Sequence, residues 1–187
     1  MDDWFLDIFV REVERQAAFG VMASQDLAGA LPTGNMDRLW YSTQALLIAA
    51  GNVSKLLWPV RPLSGERGQQ LREVLGVPEE SPLRPRAFRN HFEHYDERLE
   101  DWMMSSERHN IVDSSVLPPG AIQGIDPGDF LRNLDPTSMK LTFRGDSYDL
   151  GSLVGTIRDL RNRAESRVKT PPWTRDAAAS TDDANQT

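Results

Sequence analysis

The chain has 187 residues, a formal net charge of −7 and no cysteine. That length suits one domain with a hydrophobic core, and the lack of thiols excludes disulfides, thiolate nucleophiles and cysteine-bound metals. The acidic balance argues against a general attraction of the surface to nucleic acid, but leaves a local basic site open. The first residues lack a secretory signal, and the longest apolar run, residues 45–50, is far shorter than the roughly 20 residues of a membrane span. We therefore expect a soluble, cytoplasmic protein without a membrane segment.

Three helices are predicted before residue 80. The first runs to about residue 30, because its apolar residues recur at steps of four and three: Leu6, Val10, Val13, Ala17 and Val21. Proline and glycine at 32–34 interrupt the pattern. The second, 36–58, ends before Pro59 and has apolar residues at near-heptad spacing: Leu39, Leu46, Ala50, Val53 and Leu57. A short third helix covers about 64–76.

The fourth predicted helix, 86–106, has the clearest pattern in the chain. Its large apolar residues step by four, three, four and three along one face: Phe88, Phe92, Tyr95, Leu99 and Trp102. We call this set the aromatic stripe. Asn90, Glu93, His94 and Glu97 fall on the opposite side, which predicts that the helix packs through its aromatic residues and leaves polar groups free.

Residues 110–148 are rich in proline and glycine and predict an irregular insertion. A short strand is expected within 111–117, and the alternating residues of 140–148, with a turn at 144–146, predict a small β-hairpin. A last helix covers about 149–169, with its buried side formed by Leu150, Leu153, Val154, Ile157, Leu160, Ala164 and Val168. The segment 171–187 reads as a disordered tail.

These elements predict an all-α fold. The architecture is an up-and-down bundle of four to five helices in a single domain, 1–170, with a hairpin and irregular insertion at about 110–148. The second and fourth helices are expected to form the central pair.

The string Arg89-Asn90-His91-Phe92-Glu93-His94 resembles the Arg-x4–6-His motif of the HEPN superfamily. This resemblance implies a HEPN-like helical bundle that is usually dimeric, and many such domains are metal-independent endoribonucleases of toxin–antitoxin and phage-defence systems. One toxin subgroup has a tyrosine where this chain has Asp96. Arg89, Asn90 and His94 are therefore the candidate catalytic residues, and the implied partners are RNA, a second copy of the chain, and an antitoxin or other defence protein.

The motif suits RNA cleavage without a metal. Histidine titrates near neutral pH and can deprotonate the ribose 2′-hydroxyl. Arginine binds a phosphate with two parallel hydrogen bonds and can neutralise the charge of the transition state. Asn90 can orient the substrate or His94. The alternative is that Arg89 and His94 belong to an ordinary solvated helix face.

Two further groups of charged residues have spacings that could bind a ligand. His91, His94 and Glu97 are spaced like metal ligands, but a metal site in a bundle needs carboxylates from facing helices, so neither a metal nor another cofactor is expected. The last helix has a local excess of positive charge in its C-terminal half. Arg158 and Arg161 of this helix, together with His91, are the candidate substrate-binding residues, although a solvated face explains the arginines equally well.

The sequence thus supports two functions. The first is a HEPN-like endoribonuclease. The second is a non-catalytic HEPN-like module that dimerises or binds a partner through the polar side of the fourth helix.

Overall fold

A computed structural model describes residues 3–85 and 87–169, with the backbone alone for residues 87–89. Its six helices are α1 Asp3–Ala30, α2 Met36–Leu57, α3 Gly65–Val74, α4 Ala87–Glu93, α5 Tyr95–Ser105 and α6 Leu150–Lys169. Four short strands are β1 Ser115–Val116, β2 Asn133–Asp135, β3 Lys140–Phe143 and β4 Asp146–Asp149. Within the described part of the chain, no helix combines the length and apolar composition needed to cross a membrane. The predicted tail, 171–187, lies outside the described residues.

The long helices form where apolar residues recur at helical spacing, and those residues are buried or partly buried. All five apolar residues predicted for the inner face of α1 are buried, and so are the five of α2. Asn35 is the N-cap of α2. Its side chain accepts a hydrogen bond from the backbone N–H of Arg38 at 3.0 Å and so satisfies a donor that the first turn leaves unpaired. On α6, Val154 and Val168 are partly buried and the other five predicted residues are fully buried.

The prediction of an all-α bundle is wrong. The insertion forms a four-stranded mixed sheet in the order β1-β2-β3-β4, in which β1 and β2 are parallel and the other pairs are antiparallel. The hairpin expected at 140–148 is present as β3 and β4. Its two-residue turn places both Arg144 and Gly145 at positive φ, 47° and 91°, as turns of the I′ type require. The predicted strand at 111–117 is reduced to β1 and an isolated bridge between Val112 and Phe130.

The sheet is part of the core rather than an appendage. Leu134 of β2 and Leu141 of β3 are opposite each other in the register and are both fully buried in the main hydrophobic cluster with α1, α2 and α6. Phe143, two residues further along β3, joins a second cluster with Trp102 and Leu131. The expected central pair of the second and fourth helices is also wrong, because α1 packs most extensively, against both α2 and α6.

Gly68 marks a close contact between α3 and the end of α2. A Cβ atom at this position would overlap the ring of Pro59 and lie 2.8 Å from the backbone oxygen of Leu57. We expect Gly68→Ala to reduce the free energy of unfolding by about 1–3 kcal/mol, the usual effect of overpacking. The control is Gly65→Ala at the start of the same helix, where a Cβ meets nothing within 4 Å. Equal stability of the two variants in urea denaturation would contradict this packing.

Candidate functional site

The predicted helix 86–106 is not continuous. It is divided at His94, whose backbone angles of φ −116° and ψ 43° are not helical. Two backbone hydrogen bonds still bridge the break. The His94 N–H donates to the oxygen of Asn90 at 3.0 Å, and the Arg98 N–H donates to the oxygen of His94 at 3.1 Å. The sequence has neither proline nor glycine here, and we attribute the division to packing that involves the neighbours of His94. Phe92 packs on the main cluster, whereas Tyr95 packs on the second one.

The packing of Tyr95 shows how the insertion holds α5. The guanidinium of Arg132 lies over the ring of Tyr95, 4.3 Å from its centroid, in the range of a cation–π interaction. Arg132 is itself held by two hydrogen bonds to the carboxylate of Asp113. At the other end of α5, the indole N–H of Trp102 donates to the buried Asp129 at 2.9 Å. The described part of the aromatic stripe therefore faces inward, as predicted, while the side chain of Phe88 lies outside the described residues.

His94 lies on the solvent side of this break. Its side chain is 51% exposed, and its Nδ1 atom lies 3.3 Å from Oε1 of Glu97. Its imidazole has no other polar partner among the residues whose side chains are described. Because the Glu97 carboxylate lies beside Nδ1, the ring nitrogen available to accept a proton from a substrate is Nε2.

The other two predicted catalytic residues lie in α4. Asn90 is partly buried and is one turn before His94. Arg89 lies in the same helix, but its side chain is outside the described residues. Glu93, the last residue of α4, forms an ion pair of 3.5 Å with Lys55 of α2, a solvent-exposed contact between the two helices.

His91 points into the protein instead of towards solvent. Its side chain is 16% exposed, and its ring stacks on Phe143 with centroids 4.7 Å apart. Nε2 lies 3.1 Å from the hydroxyl oxygen of Tyr148 and 3.5 Å from Oδ2 of Asp146. His91 therefore joins α4 to β4, an arrangement that suits a structural contact better than the substrate-binding role predicted for it.

Burial lowers the pKa of His91 below its ordinary value, and the charge of Arg98 lowers it further, against the opposing effect of Asp146. A histidine with a lowered folded-state pKa takes up protons more readily when unfolded, so its contribution to stability is complete above the unfolded value of about 6.5 and is lost as the pH falls through the lowered value. We expect the free energy of unfolding to fall between about pH 7.5 and about pH 5.5, and His91→Gln to reduce that fall. Urea denaturation of the wild type and of His91→Gln at both pH values measures the change in the free energy of unfolding. The wild type measured under the same conditions is the reference, and an unchanged pH dependence in His91→Gln would contradict the assignment.

The basic residues of α6 are mainly engaged within the protein. Arg161 lies 3.9 Å from Glu14 and Arg167 lies 3.4 Å from Asp7, both on α1. Arg163 donates a hydrogen bond of 2.7 Å to the backbone oxygen of Gly76. Arg158 is exposed. The structure thus places Arg161 against α1 rather than beside His94, and the local positive charge serves largely to join helices.

The sequence did not predict the three partners of the two histidines, which are Glu97 for His94 and both Tyr148 and Asp146 for His91. It placed Glu97 on the same side as His94, and the spacing of three residues could have suggested their pairing. No sequence signal indicated that Tyr148 and Asp146 of the hairpin would meet His91. Among the described residues, no group of three histidine, aspartate or glutamate side chains is arranged to hold a metal ion.

Comparisons with models of protein families, with curated proteins and with solved structures find no match for this chain.

Proposed function

We propose that this protein is a metal-independent endoribonuclease of the HEPN type. The observation that carries the proposal is the His94–Glu97 pair, in which Nδ1 of a half-exposed histidine lies 3.3 Å from a carboxylate oxygen. A carboxylate beside the catalytic histidine also occurs in hydrolytic enzymes of unrelated folds, where it orients the imidazole. The resemblance of residues 89–94 to the HEPN motif supports the choice of RNA as substrate.

In the proposed reaction, Nε2 of His94 removes the proton of a ribose 2′-hydroxyl. The 2′-oxygen then forms a bond to the adjacent phosphorus, and the bond from phosphorus to the 5′-oxygen of the next nucleotide breaks. That oxygen takes up a proton, from water or from the His94 of a second copy in a dimer. The products are a 2′,3′-cyclic phosphate and a 5′-hydroxyl end.

Arg89 and Asn90 have supporting roles in this proposal. Arg89 contributes positive charge that stabilises the pentavalent phosphorus intermediate, and an arginine does this better than a lysine because its guanidinium forms two hydrogen bonds at once. Asn90 orients the substrate. We further propose a homodimer with one shared cleft, a role in bacterial defence or a toxin–antitoxin pair, and a cytoplasmic location, which suits a chain without cysteine.

Incubation of the purified protein with single-stranded RNA in the presence of EDTA tests the proposal. We expect cleavage that EDTA does not reduce, fragments with 2′,3′-cyclic phosphate ends, and no cleavage by Arg89→Ala. Arg89→Lys should recover little activity. The matched control is Arg11→Ala, which removes an exposed arginine from α1 and should cleave like the wild type. Cleavage that survives in Arg89→Ala would contradict the proposal.

The second candidate is a non-catalytic dimerisation or partner-binding module. The sequence predicted binding through the polar side of the fourth helix, whereas the observation that favours such a module is an exposed apolar area on α1 and α2. Phe19, Tyr41 and Ile48 are 50%, 72% and 46% exposed and line one groove. Contiguous exposed apolar groups are typical of interaction surfaces. A folded dimer that cleaves no RNA in the assay above favours this module over the enzyme.

A further inference from the structure

A pocket of about 270 Å³ lies between α2, the loop 82–85, β4 and the start of α6. Its walls are mostly apolar and include Leu47, Ala50, Leu83 and Leu153. Its polar groups come from Ser54 on α2, from β4 and from the first turn of α6. This combination of apolar walls and few polar groups is typical of sites for small organic ligands.

Ser54 gives the pocket an unused hydrogen-bonding group. The residue is 3% exposed, and its hydroxyl has no hydrogen-bond partner among the described residues. Thr43 of the same helix is also buried, but its hydroxyl donates to the backbone oxygen of Leu39 at 2.9 Å. A buried hydroxyl without a partner is unfavourable, and a ligand in the pocket would supply the missing hydrogen bond.

The pocket is linked through Tyr148 to the helix that carries the HEPN-like motif. Tyr148 lines it, and the hydroxyl oxygen of Tyr148 lies 3.1 Å from Nε2 of His91 on α4. On the α2 side, Lys55 follows Ser54 directly and pairs with Glu93 at the end of α4. A group bound in the pocket therefore contacts Tyr148, whose partner His91 lies three residues before His94.

We infer that this pocket binds a nucleobase of the RNA, an inference that rests on the proposed ribonuclease function. Apolar walls accommodate the faces of a flat ring, while the hydroxyl of Ser54 and Oδ2 of Asp149 at the exposed edge bond to groups on the ring's edge. The other oxygen of Asp149, Oδ1, already accepts the N–H of Ser152 at 2.8 Å. The described lining contains no lysine, arginine or histidine, so it offers nothing to bind a phosphate by charge. The base, rather than the backbone, is the part of RNA that fits.

A larger groove, lined by the loop 117–130 and by strands β2 to β4, is a weaker candidate for a ligand site. Its buried polar residues are already satisfied: the side chain of Asn133 bonds to Ser115 and Leu117, and that of Asp135 to Thr137 and Ser138. Among the described residues that line this groove, no buried polar side chain lacks a hydrogen-bond partner that a ligand would have to supply.

Titration of the ¹⁵N-labelled protein with each of the four ribonucleosides, and separately with inorganic phosphate, tests the inference by NMR. We expect saturable shifts of pocket residues with nucleosides and none with phosphate. Ser152→Trp fills the exposed edge of the pocket and should abolish these shifts. Gly155→Trp, on the same helix where a Cβ has open space around it, should keep them. Ser54→Ala should weaken binding by about 2- to 10-fold, the effect of one lost hydrogen bond, without loss of stability.

The outcomes separate this inference from the proposed function. Absence of saturable shifts with every nucleoside, or shifts that persist in Ser152→Trp, would overturn the pocket assignment, even if the wild type cleaves RNA. Nucleoside binding that Ser152→Trp abolishes supports the pocket, even if the RNA assay shows no cleavage. If the wild type binds nucleosides in the pocket and also cleaves RNA, Ser152→Trp should raise the KM for RNA more than it lowers kcat.

Discussion

Replacing His94 with alanine should lower the rate of RNA cleavage by about 10²–10⁴-fold, the usual contribution of a general base. Its side chain is half exposed and lies off the packed face of α4 and α5, so the melting temperature should remain nearly the same. Single-turnover rates with a short RNA, measured beside circular dichroism, check both expectations. Loss of activity together with loss of the folded state would show instead that His94 is structural.

The partner of His94 can be tested in the same assay. Glu97→Gln keeps the size of the side chain and removes its charge, and should reduce the rate by a smaller factor than His94→Ala, because it changes the group that orients the base and leaves the base itself in place. Glu100→Gln is the control, since Glu100 is an exposed glutamate on the same helix. Equal rates for the two glutamine variants would contradict a catalytic role for the pair.

Replacing Phe143 with alanine should reduce the free energy of unfolding by about 3–5 kcal/mol, the cost of deleting a buried aromatic side chain. Phe143 is fully buried, and its ring is stacked on His91 and lies 6.3 Å and 6.2 Å from the rings of Phe92 and Tyr95, centroid to centroid. It thus joins the hairpin to both α4 and α5. The variant should therefore also loosen the residues around His94.

Urea denaturation measures this effect, with Phe19→Ala as the matched control. Phe19 is 50% exposed on α1, and its loss should change the stability far less. Amide hydrogen exchange at residues 90–105 in Phe143→Ala reports whether α4 and α5 are loosened. A variant as stable as Phe19→Ala would contradict the view that the insertion holds these helices.

The long helices could be predicted from the sequence because their burial is periodic. The apolar residues of α1, α2 and α6 recur at helical spacing over many turns, and all of those predicted to face inward are buried or partly buried. The β3–β4 hairpin was also predictable, since its strands alternate and its turn contains glycine. In both cases the signal is local, and each segment carries enough residues to show its period.

The mixed sheet was not predictable in the same way. Strands β1 and β2 have two and three residues, too few to show an alternating pattern, and β1 pairs with a strand 18 residues further along the chain. This pairing depends on how the loop 117–132 between β1 and β2 folds back, and no local pattern in the sequence reports that. The burial of Leu134 and Leu141 against the helices then makes the insertion part of the core.

At the candidate site, the spacing of residues is enough to place His94 and Glu97 three residues apart on the side of the helix opposite the aromatic stripe. The division of the helix at His94, and the inward turn of His91 against Phe143 and Tyr148, appear only in the folded protein. A helical pattern specifies which face is buried but not what buries it. Here the hairpin provides that surface, and its contacts with His91 and Tyr95 determine how α4 and α5 lie and thereby place the His94–Glu97 pair in solvent.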